Sequence, residues 1–312
     1  MDRYLVTGGA GFIGSHLCDK LLRDGHAVRV LDNFSSGKRA NLAAVQADIE
    51  ILDGDVRDAA TIARAVENVD IILHHAAIAS VARSVENPIL EHEVNLGGTL
   101  RLLDAARAGS VRRLVLASTA AAYGDDPTPA KKESLTPRPQ SPYAISKVSS
   151  ELYCRVYSEL FELETIALRY FNVFGPRQDA GSDYSGVISL FVDRMIEGRQ
   201  PKIFGDGEQS RDFVFVDDVT DATLAACKTP RAAGEIFNVG CGRSVSINQL
   251  VKGLNSILES AIEPEFEAPR PGDLRCSLAD ISKTTTCLGF NPTISFDSGL
   301  EQTVDWVRTQ RS

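Results

Sequence analysis

Leu5-Val-Thr-Gly-Gly-Ala-Gly-Phe-Ile-Gly14 joins a short apolar run to a glycine-rich turn. The run predicts a buried strand, and the spaced apolar residues after the turn predict a helix. We expect Gly8 to adopt a backbone angle that other residues avoid, Gly11 to let the main chain approach a phosphate, and Gly14 to let helix and strand pack closely. The order strand, turn, helix therefore predicts a pyrophosphate site at the helix N-terminus.

A carboxylate stands at the end of the next apolar run. Asp32 follows Ala27–Leu31, where it can accept hydrogen bonds from both hydroxyls of an adenine ribose. A 2'-phosphate would be repelled there, so the predicted cofactor is NAD rather than NADP. The alternative is a glycine-rich loop that binds nothing, but it leaves the strand, the helix and the acidic residue unexplained together.

Composition narrows the class of protein. The chain has 312 residues, 43% hydrophobic and 24% charged, with a net charge of -9. The net negative charge argues against nucleic-acid binding. Any anionic ligand must therefore be held by a few specific arginines, helix ends and backbone amides. No apolar run is long enough to span a membrane, and there is no signal-peptide pattern. The six cysteines do not have the spacing of zinc ligands. These features predict a cytoplasmic protein with reduced thiols and no membrane partner.

Strand-like and helix-like runs alternate in the first half of the chain. This pattern is typical of an α/β protein with a Rossmann-like, doubly wound parallel sheet. The predicted strands are Tyr4–Thr7, Ala27–Leu31, Glu50–Asp53, Ile71–His74, Leu114–Ala117 and Thr165–Arg169, and the predicted helices include Asp58–Val66, Pro88–Ala108 and Ser141–Leu160. From Gly175 onward glycine and proline interrupt the pattern. We therefore expect a nucleotide-binding domain over 1–174 and a smaller α/β substrate-binding lobe over 175–312, with segments such as 213–226 returning to the first domain.

Small and polar residues follow the predicted strands. Ligands of such sheets bind beyond the carboxyl ends of the strands, so these residues should line one crevice. They include Asp55–Val56, His75–Ala77, Ser118–Thr119 and Tyr170–Asn172. His74 and His75 are adjacent on a strand and point to opposite faces, so we predict no metal site.

Tyr143 and Lys147 lie four residues apart in a predicted helix. This spacing brings both side chains to nearly the same helix face. A nearby ammonium should lower the pKa of the phenol and make it a usable base for a sugar or alcohol hydroxyl. Thr119, which follows the fifth predicted strand, can hydrogen-bond the same substrate oxygen.

Several motifs together resemble the extended short-chain dehydrogenase/reductase family, and most closely its nucleotide-sugar 4-epimerases. They are Thr7–Gly14, Ser118–Thr119 before Tyr123–Gly124, Tyr143-x-x-x-Lys147, Arg169–Gln178, Arg211–Asp218 and Arg270–Asp273. The similarity covers nearly the whole chain. It implies that hydride leaves C4 of the sugar for tightly bound NAD, and that it returns to the opposite face of a 4-keto sugar.

The resemblance also implies the catalytic roles. Tyr143 is the base, Lys147 its electrostatic partner and a ribose contact, and Thr119 orients the 4-oxygen. Many family members have serine at the Thr119 position; threonine keeps the donor but leaves less room. Ala120 and Ala121 stand where the dehydratase branch has carboxylates, so elimination lacks its proton-transfer group.

The expected binding residues fall into two sets. Those for NAD are Gly8, Gly11, Phe12, Ile13, Asp32, Asn33, Asp55, Val56, Ala76, Ala77, Tyr143 and Lys147. Those for the substrate are Ser80, Ser118, Thr119, Asn172, Gln178, Gly186, Val187, Arg211, Arg270, Asp273 and Ser277.

Within the substrate set, the resemblance assigns the diphosphate to Arg211 and Arg270, a phosphate or sugar contact to Asn172, and the nucleoside ribose to Asp273. Ser277 matches the position that gates the sugar 2-substituent, where a small residue leaves room for an acetamido group.

We therefore expect a 4-epimerase for UDP-N-acetylglucosamine and UDP-N-acetylgalactosamine, with UDP-glucose and UDP-galactose as further substrates. A UDP-hexuronate 4-epimerase is the first alternative, and it would need a cation such as Arg83, Arg177 or Arg275 near the sugar carboxylate. A dehydratase and a non-catalytic NAD-binding protein are further alternatives. The resemblance also implies a homodimer through the helices Pro88–Ala108 and Ser141–Leu160.

Overall fold

Seven strands form one parallel sheet, and the other strands form three small sheets, in the part of the chain that the structure describes. This computed structural model describes residues 1–109, 111–179, 181, 186–230, 232–269 and 275–311. The strands are β1 (Arg3–Thr7), β2 (Ala27–Asp32), β3 (Glu50–Asp53), β4 (Ile71–His74), β5 (Arg113–Thr119), β6 (Ala130–Lys131), β7 (Glu164–Tyr170), β8 (Asn172–Phe174), β9 (Lys202–Phe204), β10 (Ser210–Arg211), β11 (Phe213–Phe215), β12 (Glu235–Val239), β13 (Val245–Ser246), β14 (Glu265–Glu267) and β15 (Cys276–Ala279).

The helices surround the large sheet and build the second lobe. They are α1 (Phe12–Arg23), α2 (Ala59–Val66), α3 (Val81–Glu86), α4 (Pro88–His92), α5 (Gly98–Ala108), α6 (Pro142–Phe161), α7 (Val187–Ile196), α8 (Val216–Lys228), α9 (Ile247–Leu258), α10 (Ser282–Leu288) and α11 (Phe296–Arg311). One π-helical turn over Glu93–Gly97 joins α4 to α5.

The large sheet has the strand order β12-β7-β5-β4-β1-β2-β3. All neighbouring pairs are parallel. The order reverses between β1 and β4, which opens a crevice at the carboxyl ends of these strands. The predicted Rossmann-like α/β class is confirmed, and all six predicted strands are present within two residues of their expected ends. The strand β12 was not predicted.

Side-chain caps define where the helices α2 and α6 begin. The Asp58 carboxylate accepts the first amides of α2, and the Ser141 hydroxyl accepts the Ala144 N–H at 3.2 Å ahead of α6. Such caps replace hydrogen bonds that the first turn of a helix lacks. The prediction of one helix over Pro88–Ala108 is corrected, because the π turn divides it into α4 and α5.

The second lobe has its own apolar core. Phe174, Phe213 and Phe215 pack there with the buried faces of α7, α9 and α11. Two elements that follow residue 174 in the chain belong to the large sheet and its flanking helices instead. Strand β12 pairs with β7 at the edge of the large sheet, and α8 packs against α1.

Candidate active site

The glycine turn leaves no room for side chains. Gly8 has φ +70°, and a Cβ on it would lie 2.7 Å from the Ala76 backbone nitrogen. A Cβ on Gly14 would lie 2.2 Å from the Gly8 carbonyl oxygen. Gly11 is the N-cap of α1 and has no side chain to cap it, so the amides of Phe12 and Ile13 begin an open helix end. This cradle fits a pyrophosphate, which needs close backbone approach and free N–H donors.

Asp32 ends β2 beside this turn. Its Oδ2 accepts the Ala10 N–H at 2.9 Å and its Oδ1 accepts the Phe34 N–H at 2.8 Å. Burial raises the pKa of Asp32, and the two amides oppose that shift. A carboxylate oxygen can accept more than one hydrogen bond, so the position still suits a ribose. The residues therefore fit NAD at this end of the crevice.

The next predicted cofactor residues lie on the loops beside Asp32. Asn33 donates to Asp55 Oδ2 at 2.8 Å, and the Arg57 guanidinium holds the pKa of Asp55 at about 2. Val56 is buried and lies against Gly98, where a Cβ would come within 2.7 Å of its side chain. Asn33, Asp55 and Val56 thus form one fixed surface after β2 and β3.

The two histidines after Leu73 serve the scaffold around the crevice. The ring of His74 is hydrogen-bonded to the hydroxyls of Thr7 (2.7 Å) and Thr99 (3.0 Å). His75 contacts the Tyr170 hydroxyl at 3.1 Å and stacks on its ring. Burial lowers the pKa of each histidine to about 3, so both are neutral. No metal-binding group of three or more His, Cys, Asp or Glu side chains occurs among the described residues.

Tyr143, Lys147 and Thr119 meet at the carboxyl edge of the large sheet. The Thr119 hydroxyl lies close enough to the Tyr143 phenol to lower its pKa, and it accepts the Ala121 N–H at 3.1 Å. Lys147 is buried, and its ammonium donates to the Ala117 carbonyl oxygen at 2.8 Å. The structure therefore brings the three predicted catalytic side chains together.

The electrostatics of this pair differ from the expectation. Burial raises the pKa of Tyr143, with Thr119 lowering it and Glu91 raising it further. The prediction that this pKa is lowered is wrong, because burial has the largest effect on it. Burial also lowers the pKa of Lys147 to about 8, against the attraction of nearby acidic groups, of which Glu91 acts most strongly. At neutral pH the pair is a neutral phenol beside an ammonium.

Ser118 does not offer its side chain to a sugar, so that part of the prediction is corrected. Its hydroxyl is buried and donates to Glu151 Oε1 at 2.5 Å. Glu151 forms a buried bidentate ion pair with Arg169, at 2.9 and 2.7 Å. A fully buried charge must be paired, and the pair formed by Glu151 and Arg169 also holds the Ser118 hydroxyl at the end of β5.

Arg211 and Ser277 are neighbours in the second lobe. They are register partners on the parallel strands β10 and β15, so their side chains leave the same face. The Arg211 guanidinium donates to the Ser210 carbonyl at 2.9 Å. Arg270 and Asp273, also predicted to bind substrate, lie outside the described residues.

The remaining substrate candidates are spread over three segments. Asn172 donates to the Asp212 carbonyl at 3.1 Å. Gln178 donates to the Val173 carbonyl at 3.0 Å, and its Oε1 is buried without a hydrogen-bond partner among the described residues. Gly186 faces Gln178, since a Cβ there would lie 3.0 Å from its amide nitrogen, and Val187 begins α7. Among these candidates, the Gln178 oxygen is the buried acceptor for which the described residues provide no donor.

Ser80 takes part in a helix cap rather than an open contact. Its hydroxyl accepts the Arg83 N–H at 3.2 Å as the N-cap of α3. Two of the three arginines considered for a sugar carboxylate are already paired with acidic side chains. Arg177 bonds Asp19 at 2.7 Å, and Arg275 bonds Asp206 at 2.7 and 3.0 Å.

A row of buried polar residues beside the catalytic pair was missed. Glu91, Asn95 and Thr99 are all nearly inaccessible, and they recur every four residues along α4, the π turn and α5. The sequence did contain a signal for this row, because its polar residues recur at helical spacing within the predicted helix Pro88–Ala108. Their partners, including Ser146 on α6, lie far away in the sequence.

The fold and this site define a dinucleotide-binding protein with a tyrosine and a buried lysine at the edge of its crevice. The model of the NAD dependent epimerase/dehydratase family matches residues 4–240. The UDP-glucose 4-epimerase of Mycolicibacterium smegmatis is 41% identical over 312 residues, covering 99% of each chain. The UDP-glucuronate 4-epimerase of Thermodesulfobacterium geofontis is 34% identical, covering 99% of this chain and 97% of that protein.

A solved structure gives the same result. The UDP-N-acetylglucosamine 4-epimerase of Methanobrevibacter ruminantium, in complex with UDP-N-acetylmuramic acid, has a TM-score of 0.95 at 39% identity and covers 99% of each chain. The chain belongs to the NAD dependent epimerase/dehydratase family. The expected family, the NAD cofactor and the class of nucleotide-sugar 4-epimerases are confirmed. None of the helices in the described ranges has the length and hydrophobicity to cross a bilayer.

Proposed function

We propose that this enzyme inverts C4 of UDP-N-acetylglucosamine and UDP-N-acetylgalactosamine, and also interconverts UDP-glucose and UDP-galactose. The observation that carries the reaction type is the placement of Thr119 beside the Tyr143 phenol, whose pKa it lowers, at the edge of the cofactor crevice. Ala120 and Ala121 follow Thr119, so this turn supplies no carboxylate for elimination. Without elimination, the reaction that remains is removal of a hydrogen from one carbon of the sugar and its return to the same carbon.

The protein's own groups would handle the proton. Tyr143, in its ionised phenolate form, would accept the proton of the sugar 4-hydroxyl, and Thr119 would orient that oxygen through its hydroxyl. Bound NAD would supply a hydride acceptor for the C4 hydrogen and a positively charged ring that favours the Tyr143 phenolate. Lys147 has three N–H donors, of which one reaches Ala117, so two remain for a ligand. We assign these roles to the three residues as proposals.

The preference for N-acetylated sugars rests on Ser277. It shares a face with Arg211, whose guanidinium suits a diphosphate, and a serine leaves space that an aromatic ring would fill. Gln178 is a further proposed sugar contact, since its buried oxygen has no hydrogen-bond donor among the described residues. We retain Ser80, Asn172, Gly186, Val187, Arg270 and Asp273 as proposed contacts of this lobe.

The test is to incubate the purified protein with UDP-N-acetylglucosamine, UDP-glucose and UDP-glucuronate and to quantify the C4 epimer of each. Tyr143→Phe should lower kcat at least about 100-fold while NAD still binds. Ser277→Tyr should reduce kcat/KM at least about tenfold for the N-acetylated sugar, with a smaller effect on UDP-glucose. Equal losses on both sugars would remove the proposed gate, and no epimer from any substrate would remove the proposed reaction.

A hexuronate substrate has less support. Arg177 and Arg275 already pair with carboxylates, so a sugar carboxylate would have to compete with those ion pairs, and Arg83 is the remaining candidate cation. Turnover of UDP-glucuronate above that of both other sugars in the same assay would reverse this preference.

We also propose the expected homodimer, with α4 and α6 from the two predicted helices at its interface and α3 beside them. Large apolar side chains are exposed on these helices: Val85 (64%), Ile89 (71%), Ile145 (53%), Leu152 (59%) and Leu160 (67%). A second copy can cover this surface with the same surface, as two-fold dimers do. Leu152→Glu with Leu160→Glu should yield a monomer in sedimentation experiments.

Phe266→Glu is the matched control for this dimer. Phe266 is 57% exposed on β14, outside the helical surface, so its replacement should leave the dimer intact. A monomeric wild-type protein would contradict the proposal.

The proposed compartment is the cytoplasm. All six cysteines are free thiols, and Cys18, Cys154 and Cys227 are buried, which suits a reducing environment.

A further inference from the structure

Glu91 occupies an unusual place for a carboxylate. It is 1% exposed, and no ion pair in the described ranges involves it. Its Oε2 accepts the Ser146 hydroxyl at 2.7 Å, and its Oε1 accepts the Asn95 amide. An isolated buried charge is costly, so a folded protein retains one only where hydrogen bonds stabilise it. Both carboxylate oxygens of Glu91 have such a partner.

The partners of Glu91 connect two walls of the candidate active site. Asn95 accepts the Ile78 N–H at 2.8 Å and donates to the Ile78 carbonyl at 3.1 Å. Ile78 directly follows Ala76 and Ala77, the predicted cofactor contacts after β4. Ser146 precedes Lys147 on α6. A chain of hydrogen bonds therefore runs from the cofactor wall through Asn95 and Glu91 to the catalytic helix.

We propose that Glu91 is a positioning residue: through Asn95 and Ser146 it fixes the first turns of α6, and with them Tyr143 and Lys147, against the loop that follows β4. The inference rests on the proposed function, for which Tyr143 and Lys147 are the catalytic pair. Linked hydrogen bonds in a buried site reinforce one another, and removing one member leaves the others unsatisfied. The neighbouring π turn fits this role, because such turns are frequent at functional sites.

The charge of Glu91 also faces both catalytic groups. The other groups that face Lys147 contribute little net charge. His74 and His75 are neutral, burial raises the pKa of Cys154 to about 12, and Glu151 is paired with Arg169. Glu91 raises the pKa of Lys147 and that of Tyr143. Removing its charge should therefore move both ionisations to lower pH.

The experiment compares Glu91→Gln with Glu93→Gln in the full-length enzyme loaded with NAD. Glu93 lies two residues away and is exposed, so its replacement removes the same charge outside the network. We expect both limbs of the kcat–pH profile to move down by about one pH unit in Glu91→Gln and to stay in place in Glu93→Gln. A purely structural role would lower kcat or stability without moving the profile.

A second measurement does not depend on turnover. Hydrogen exchange followed by mass spectrometry should be about tenfold faster at the Ile78 amide and the first turns of α6 in Glu91→Gln. If the wild type turns over no UDP-sugar, the proposed function fails, and this measurement alone decides the positioning role. If Glu91→Gln does not fold, Ser146→Ala cuts the network without changing the charge and should show the same faster exchange. Wild-type exchange in the variant that folds, or an unmoved pH profile in Glu91→Gln, overturns the inference.

Discussion

Replacing Gly14 with alanine tests the close contact between the turn after β1 and helix α1. Alanine is favoured over glycine inside a helix by about 1 kcal/mol, so propensity alone predicts a more stable protein. The structure predicts the opposite. A Cβ on Gly14 would lie 2.2 Å from the Gly8 carbonyl oxygen, 2.9 Å from Gly9 Cα and 3.0 Å from the Gly8 carbonyl carbon.

The size of the loss follows from what must move. All three neighbours are backbone atoms, so no side chain can rotate away. The Gly8 oxygen would have to retreat by about 1 Å, and it accepts the Gly11 N–H at 3.0 Å. Overpacking costs about 1–3 kcal/mol and a weakened hydrogen bond about 1 kcal/mol. After the gain in propensity, we expect the free energy of unfolding to fall by about 1–3 kcal/mol.

Urea unfolding followed by circular dichroism measures this change. Gly253 is the matched control, because it also lies inside a helix, α9, but its Cβ would meet only the end of the Leu300 side chain at 3.2 Å. Gly253→Ala should be neutral or stabilising by up to about 1 kcal/mol. NAD affinity should fall in Gly14→Ala and stay unchanged in the control. A Gly14→Ala protein as stable as the wild type would refute the claim that this turn is rigid.

Three further predictions concern buried polar groups. His74 has a folded pKa of about 3, below its ordinary value of 6.5, so its contribution to stability is full above pH 6.5 and is lost as the pH falls. Between pH 7 and pH 5 this histidine alone should lower the stability in urea unfolding by about 2 kcal/mol, in addition to a similar loss from His75, and His74→Asn should remove that share. Glu151→Gln leaves Arg169 as an uncompensated buried charge and should cost about 3–5 kcal/mol in the same assay. Asp212 accepts three backbone N–H groups, so Asp212→Asn, whose amide cannot accept them all, should cost about 1–3 kcal/mol.

Each of these has an outcome that contradicts it. The same slope of stability with pH in wild type and His74→Asn would show that this ring titrates normally. Replacing Glu151 and Arg169 together by leucine and methionine should restore much of the loss, and a double variant less stable than Glu151→Gln would contradict the stranded charge. A wild-type unfolding midpoint for Asp212→Asn would mean that these amides have other acceptors.

The sequence predicted the large sheet except for its last strand. The first six strands alternate with helices and are nearly unbroken apolar runs, as strands covered on both faces are. Strand β12 contains Asn238, which breaks its apolar run. That side chain is fully buried, accepts the Tyr123 hydroxyl at 2.6 Å and donates to the Lys131 carbonyl at 2.8 Å. Partners more than 100 residues away satisfy this asparagine, and a local pattern cannot show them.

The same limit applies to the site. Spacing along α6 sufficed to bring Tyr143 and Lys147 together, because four residues make about one helical turn. It did not show that the Lys147 ammonium bonds the Ala117 carbonyl, nor that the Ser118 hydroxyl turns toward Glu151. Both outcomes depend on how deeply β5 is buried under α6. Burial also reverses the expected pKa shift of the phenol, and it arises only when distant segments pack.

Glu91 affects the pKa values of Tyr143 and Lys147, the two proposed catalytic groups, with unequal consequences. It raises the pKa of Tyr143, which opposes formation of the base, and it raises the pKa of Lys147, which preserves the cation. The phenol titrates above its ordinary value of about 10, so a change of one unit leaves it protonated at neutral pH. The lysine titrates at about 8, so a drop of about one unit would leave only about half of it charged at pH 7. The carboxylate therefore affects the charge of the lysine most, and Glu91→Gln should lose activity at pH 7 even though its tyrosine ionises more easily.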